Sequence, residues 1–171
     1  LALQSHQRAT QAWQKGLFAS EIVPVTIAGK KGDVIIDRDE HPRADLTMEK
    51  LAAMRPAFKK DGTVTAGNAS GVNDGAAALV LMAADKAKEI GVKPLARLVA
   101  TASAGVHPEI MGIGPVSAVP KVLKYAGLTL DQIGYFEINE AFAAQFLAVN
   151  RELKLDMAKV KELARLTNDQ L

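Results

Sequence analysis

Residues 139–145 read N-E-A-F-A-A-Q, directly after the stretch Y-F-E-I at 135–138. Two polar side chains, Asn139 and Glu140, therefore stand where a short apolar run gives way to an Ala/Phe-rich one. Polar groups at the end of a buried strand are well placed to face a substrate. Asn139 equally suits the N-cap of a following helix. A second segment, T-V-T-A-G-N-A-S-G-V-N-D-G at 63–75, gathers three glycines and small polar residues around Ser70, whose simplest use is a hydrogen bond within a turn. The absences bear on the chemistry too. The chain has no cysteine, which excludes disulfides, thiolate metal sites and a cysteine nucleophile within these residues. Its three histidines, His6, His41 and His107, have no paired spacing that resembles a zinc site, so no metal is expected.

The elements that must position these groups follow from pattern and punctuation. A helix is expected over 1–16, with Ala2, His6, Ala9 and Trp13 along one face and Gly16 as its stop. E-I-V-P-V-T-I (21–27) is β-branched, with Pro24 favouring an edge, and V-I-I (34–36) returns after the charged turn G-K-K-G-D (29–33). The loop D-R-D-E-H-P-R (37–43) leads to a short helix at 46–54, ended before Pro56. The run A-A-A-L-V-L-M-A suits a buried strand or a helix; strand is preferred, followed by a helix over 86–90 with Asp85 as N-cap and Gly91 as C-cap. A strand at 95–104, a Gly/Pro loop at 106–118, a helix at 119–128, a strand at 135–138 and a helix at 139–153 complete the pattern. Strands alternating with helices indicate an α/β fold with parallel strands.

Bulk properties narrow the class. At 171 residues, 49% hydrophobic and 23% charged, the chain resembles an ordinary globular protein with one solid core or two small ones. A net charge of +2, with basic residues interspersed among acidic ones, gives no footprint for nucleic acid. The longest apolar run, 75–84, is far short of the ~20 residues that span a bilayer, so no membrane partner is expected. No signal segment opens the chain and it begins without Met; a start inside a longer, cytoplasmic protein is the expectation.

Three motifs in order, R-P-A-F-K-K-D-G-T-V-T-A-G-N-A-S-G-V-N-D-G-A-A-A (55–78), G-V-H-P-E-I-M-G-I-G-P (105–115) and N-E-A-F-A-A-Q (139–145), together with the upstream E-I-V-P, resemble the thiolase family of acetyl-CoA acetyltransferases and 3-ketoacyl-CoA thiolases. The resemblance runs over roughly residues 1–156 and is densest from 55 to 150. It implies a layered αβαβα fold, present here as part of the cap domain (1–65), the end of the N-terminal half (66–93) and the start of the C-terminal half (94–156). Residues 157–171 depart from the family pattern and read as an amphipathic helix carrying Met157, Val160, Leu163 and Leu166. The implied activity is acyl-CoA C-acyl transfer, a reversible Claisen condensation or thiolysis in fatty acid metabolism. It needs no cofactor; coenzyme A thioesters are its substrates, and a homo-oligomer, dimer or tetramer, is its usual form.

The resemblance also assigns roles. Ser70 would hydrogen-bond the pantetheine arm, beside the small wall of Ala66. Arg43 would lie against the adenine or phosphates, which a planar guanidinium suits. Phe58 and Met111 would supply apolar contacts to the adenine and acyl-pantetheine ends, and Ala141 and Phe142 would line the tunnel. Asn139 would hold an oxyanion-hole water near the thioester carbonyl, and Glu140 would order neighbouring loops. The bland alternatives are a turn hydroxyl for Ser70, a solvated charge for Arg43 and core packing for Phe58 and Met111. The family's acylated cysteine, its G-H-P histidine and its second cysteine have no counterpart in the chain. His107-Pro108 resembles G-H-P only superficially, since it precedes M-G-I-G-P, and His107 reads as a loop residue. These 171 residues by themselves are thus expected to be inactive, with the nucleophile and base outside them; the alternative is a non-catalytic, CoA-binding or scaffold chain.

Overall fold

The computed structural model describes residues 1–161. In chain order it has α1 (Ala2–Gln14), β1 (Val25–Ile27), β2 (Val34–Ile36), α2 (Met48–Ala52), α3 (Ala84–Glu89), a 3-10 helix (Pro108–Ile113), α4 (Gly114–Ala126), a short 3-10 turn (Leu130–Gln132), β3 (Phe136–Glu137), α5 (Ala143–Leu153) and β4 (Val160–Lys161). Two groups of residues pack separately: Leu1–Gly71 with the segment from Tyr135 onward, and Val72–Gly134.

In the first unit, α1 ends where Gly16 turns left-handed at φ +70, with the Leu17 N–H donating to Ala12 O at 3.0 Å and the Gly16 N–H to Trp13 O at 3.0 Å. This doubly bonded stop satisfies carbonyls that the helix end would leave open. β1 and β2 pair antiparallel in the register Val25↔Ile36, Thr26↔Ile35 and Ile27↔Val34, joined by a turn closed by Gly32 N–H to Gly29 O. α2 is capped by the Thr47 hydroxyl, which accepts from Lys50 N–H at 3.2 Å. β3 and β4 pair parallel, Phe136↔Val160 and Glu137↔Lys161. The buried apolar residues of this unit are Ala12, Leu46, Phe146, Val149, Leu155 and Val160, with Phe146 and Val149 of α5 fully enclosed. Burying two such side chains contributes about 3–6 kcal/mol of transfer free energy, enough to fix the face that α5 turns inward.

In the second unit, α3 closes on Gly91 at φ +72, with Val92 N–H to Ala87 O at 2.9 Å. α4 closes the same way on Gly127 at φ +66, with Leu128 N–H to Leu123 O at 3.0 Å. α4 starts at Gly114, well before the expected 119, because Pro115 falls in its first turn, where no N–H is needed.

Five expectations are corrected. The run 76–83 and the segment 95–104 form no strand; Leu79 and Val80 are each 87% exposed and Leu95 is fully exposed. A strand exists only through its ladder, and among the described residues no backbone pairs with either segment. Asp85 is not the cap of α3: the cap position is Ala83, and Asp85 lies in the first turn, where a carboxylate favours the positive helix end. The helix expected over 139–153 begins only at Ala143, with Phe142 at its cap, so Asn139 is not an N-cap. The helix expected over 157–171 does not form at its start, where 157–159 turn and Val160–Lys161 make β4; Leu163 and Leu166 lie outside the described residues.

Candidate functional site

The serine loop and the N-E-A-F segment meet through their backbones. Ser70 N–H donates to Ala141 O at 2.7 Å, Ala143 N–H donates to Asn68 O at 3.0 Å, and Ala69 bridges Phe142 in an antiparallel sense. A second junction ties the preceding strand-like residues to the same loop, with Ala57 N–H to Val64 O at 2.8 Å and a Pro56↔Thr65 bridge. It brings the Phe58 ring 5.7 Å from that of Phe142, tilted at 57°, a favourable edge-to-face geometry. Phe58, Ala66, Ser70, Ala141 and Phe142 are therefore carried on segments hydrogen-bonded to one another.

The loop between these junctions is braced internally. The Asn68 side chain accepts from Thr65 N–H at 2.9 Å and donates to Thr63 O at 2.8 Å. The Thr65 hydroxyl accepts from Gly67 N–H at 3.2 Å, and Thr65 itself is buried. Gly67 is also buried, and a Cβ there would lie 2.5 Å from Leu51 Cδ2 and 2.6 Å from Met54 Sδ, so a larger residue would have to push these two side-chain ends aside.

Arg43 is exposed, with its position set by its backbone: its N–H donates to His6 Nδ1 of α1 at 3.1 Å. The His41 ring stacks on His6 with centroids 6.0 Å apart, and Arg38 lies over Trp13 at 5.6 Å. Burial, then the positive field of His41, push the His6 pKa below its ordinary 6.5; the Gly67 carbonyl, a hydrogen-bond partner of the ring, opposes them, and Arg43 adds to the lowering. Asp45, paired with Lys50, is held below the usual carboxylate range first by that hydrogen bond and then by the ammonium charge.

Of the residues expected from sequence, Arg43, Phe58, Ala66, Ser70, Asn139, Glu140, Ala141 and Phe142 all belong to the first unit, whereas Met111 belongs to the second, exposed on the 3-10 helix Pro108–Ile113. Ala66, Ser70 and Asn139 are exposed, Glu140, Ala141 and Phe142 half-buried, and Phe58 is 75% exposed despite its contact with Phe142, so core packing does not account for it. His107 occupies the position before that 3-10 helix, with Nδ1 3.9 Å from Glu109 Oε2, as a loop residue. Sequence reasoning missed His6, Gly67 and Asn68 as organisers. The signal for Asn68 was present, because asparagine in a small polar loop commonly hydrogen-bonds nearby backbone. Among the described residues no cluster of three His, Asp or Glu could hold a metal, and no helix is long and apolar enough to cross a membrane.

Residues 1–85 match the description "Thiolase, N-terminal domain" and residues 92–163 match "Thiolase, C-terminal domain". The chain belongs to the thiolase family. A "Probable acetyl-CoA acyltransferase" of Staphylococcus epidermidis is 55% identical over 160 residues, covering 93% of this chain and 41% of that protein. Among solved structures, the Bacillus anthracis acetyl-CoA acetyltransferase superposes with a TM-score of 0.81 at 56% identity, covering 94% of this chain and 41% of its own. Human mitochondrial 3-ketoacyl-CoA thiolase in complex with CoA does so with a TM-score of 0.76 at 48% identity, covering 93% and 39%. The chain thus spans about two-fifths of the length of these thiolases and shares the α/β fold of the portion it matches.

Proposed function

We propose that these residues form the coenzyme A-binding and oxyanion-supporting part of an acyl-CoA C-acyltransferase, which catalyses reversible thiolysis and Claisen condensation of acyl-CoA thioesters. The observation that carries the reading is the Ala69–Phe142 junction, which fastens the serine loop to the segment bearing Asn139. A flexible thioester arm needs small walls with few polar contacts, and Ala66, Ser70 and Ala141 offer that beside the Phe58–Phe142 pair. Arg43 faces solvent, free to meet phosphates or adenine. In this reading Met111 touches the acyl-pantetheine end, Glu140 orders the loops around Asn139, and no cofactor takes part.

The reaction is a two-stage exchange. A cysteine thiolate, activated by histidine, attacks the thioester carbonyl; the acyl group moves to sulfur and CoA leaves as the thiol. A second acyl-CoA loses its α-proton to a base, and the carbanion takes the acyl group from sulfur. The chain has no cysteine, so the nucleophile and the base belong to residues outside these 171. Asn139 holds a water that donates to the carbonyl oxygen as negative charge grows there, a contribution of about 3 kcal/mol per donor. The protein works in fatty acid metabolism as a cytoplasmic homo-oligomer.

The test compares acyl-CoA thiolysis by the full-length gene product with that by these 171 residues. Activity confined to the full-length protein is expected, with Asn139→Ala lowering kcat about 100-fold or more while CoA binding holds. An unchanged kcat removes the oxyanion role. A second reading, a non-catalytic CoA-binding or scaffold chain, is favoured by the missing cysteine; a mature protein no longer than 171 residues would establish it and overturn the first.

A further inference from the structure

α1 carries none of the residues proposed to act on the thioester, yet its His6 holds the loop that carries Arg43. His6 and Trp13 are seven residues apart and so share one face of α1. Trp13 takes Arg38 over its ring at 5.6 Å, His6 takes the His41 ring at 6.0 Å, and His6 Nδ1 accepts the Arg43 N–H at 3.1 Å. One half-buried ring therefore meets the arginine loop twice, through Arg43 N–H and the His41 ring.

We propose that His6 is a positioning residue for the acyl-CoA site: its neutral imidazole, Nδ1 unprotonated, holds the Arg43 loop against α1 and thereby sets how firmly the thioester is held. The inference rests on the role proposed above for Arg43. Its chemistry is a matter of proton placement. A neutral ring with hydrogen on Nε2 leaves Nδ1 as the acceptor that the Arg43 N–H needs. A protonated ring turns Nδ1 into a donor facing another donor, so the Arg43 bond breaks. The groups facing His6 are His41 and Arg43 from the loop and the Gly67 carbonyl from the serine loop; the two basic ones oppose its protonation and the carbonyl favours it.

Two variants of the full-length protein separate this role from a merely structural one. His6→Phe keeps a ring for His41 but removes the acceptor, and it should raise KM for acyl-CoA about fivefold at about pH 8, with kcat held, the equivalent of one hydrogen bond. His6→Asn places an amide oxygen near the Nδ1 position without a titrating group. It should recover KM to within about twofold and abolish the rise in KM that the wild type shows toward about pH 5.5. An unchanged KM in His6→Phe, a fall in kcat alone, or the wild-type pH profile persisting in His6→Asn would each overturn the proposal. Hydrogen exchange supplies a readout independent of turnover. The Arg43 amide should lose protection in His6→Phe and keep it in His6→Asn, while the Leu51 amide of α2, bonded to Thr47 O, stays unchanged. Equal Arg43 protection in both variants also overturns it. Failure of the wild type to thiolyse acyl-CoA, with the exchange result as expected, would instead count against the proposed function alone.

Discussion

Replacing Asn68 by alanine removes the two side-chain hydrogen bonds that shape the serine loop. The two losses are unequal. Thr65 is only 7% exposed, so its N–H, now bonded to Asn68 Oδ1 at 2.9 Å, has little access to water once the acceptor is gone. Leaving a buried donor unsatisfied costs about 1–3 kcal/mol. The bond from Asn68 Nδ2 to Thr63 O at 2.8 Å lies in an exposed setting, where water can replace the donor, and its loss costs about 0.5–1 kcal/mol. Together the substitution should destabilise the loop by about 1.5–4 kcal/mol, or roughly tenfold or more in its opening equilibrium. Because Ala143 N–H bonds Asn68 O, the opening should spread to the start of α5. Amide hydrogen exchange on the full-length protein reads this directly, with faster exchange at Thr65, Gly67 and Ala143 and a raised KM for acyl-CoA. Asn68→Asp provides a graded comparison: it keeps the acceptor for Thr65 but sets a carboxylate oxygen against Thr63 O, so its effect should fall between wild type and alanine. If Thr65 exchanges at the wild-type rate in Asn68→Ala, the account of the loop as side-chain-braced is refuted.

Gly67→Ala should destabilise by about 1–3 kcal/mol through overpacking against Leu51 and Met54, measured by urea denaturation, with partial recovery in a Met54→Ala background. Phe146→Ala, at a fully enclosed position of α5, should cost about 3–5 kcal/mol in the same assay without a specific effect on KM. Ser70→Ala and Arg43→Ala should each raise KM for acyl-CoA and spare kcat, as steady-state kinetics would show. Since the native His6 pKa lies below 6.5, the unfolded chain binds the proton more readily. Stability should therefore be full above about pH 6.5, fall as pH drops from there through the lowered native value, and level off below it, a loss absent in His6→Asn by pH-dependent denaturation.

What could be read from the sequence divides along the range of the interactions involved. Helix ends at Gly16, Gly91 and Gly127 were legible because a left-handed stop is a local demand that glycine meets at little cost. The β1–β2 hairpin was legible for the same reason, its strands and its turn being contiguous. Ser70, Arg43 and Asn139 could be named from motifs, but the bonds that organise their loops could not. The contact of His6 with Arg43 joins residues far apart in the chain, and the pairing of Ala69 with Phe142 farther still. No periodicity encodes either. The 76–83 and 95–104 expectations failed for a related reason: their composition suits strands, but strand identity is conferred by a partner backbone.

Those bare segments carry a liability for these 171 residues on their own. Residues 76–84, A-A-A-L-V-L-M-A-A, have neither charge nor proline and form no ladder, which is the profile of a stretch that self-associates edge to edge as cross-β. Asp74 stands just before the run, and Asp85 and Lys86 just after it. Such flanking charges act as gatekeepers, slowing aggregation of a hydrophobic stretch that a fold cannot do without. Any tendency of these residues to aggregate is therefore expected to trace to the apolar run rather than to the proposed coenzyme A site.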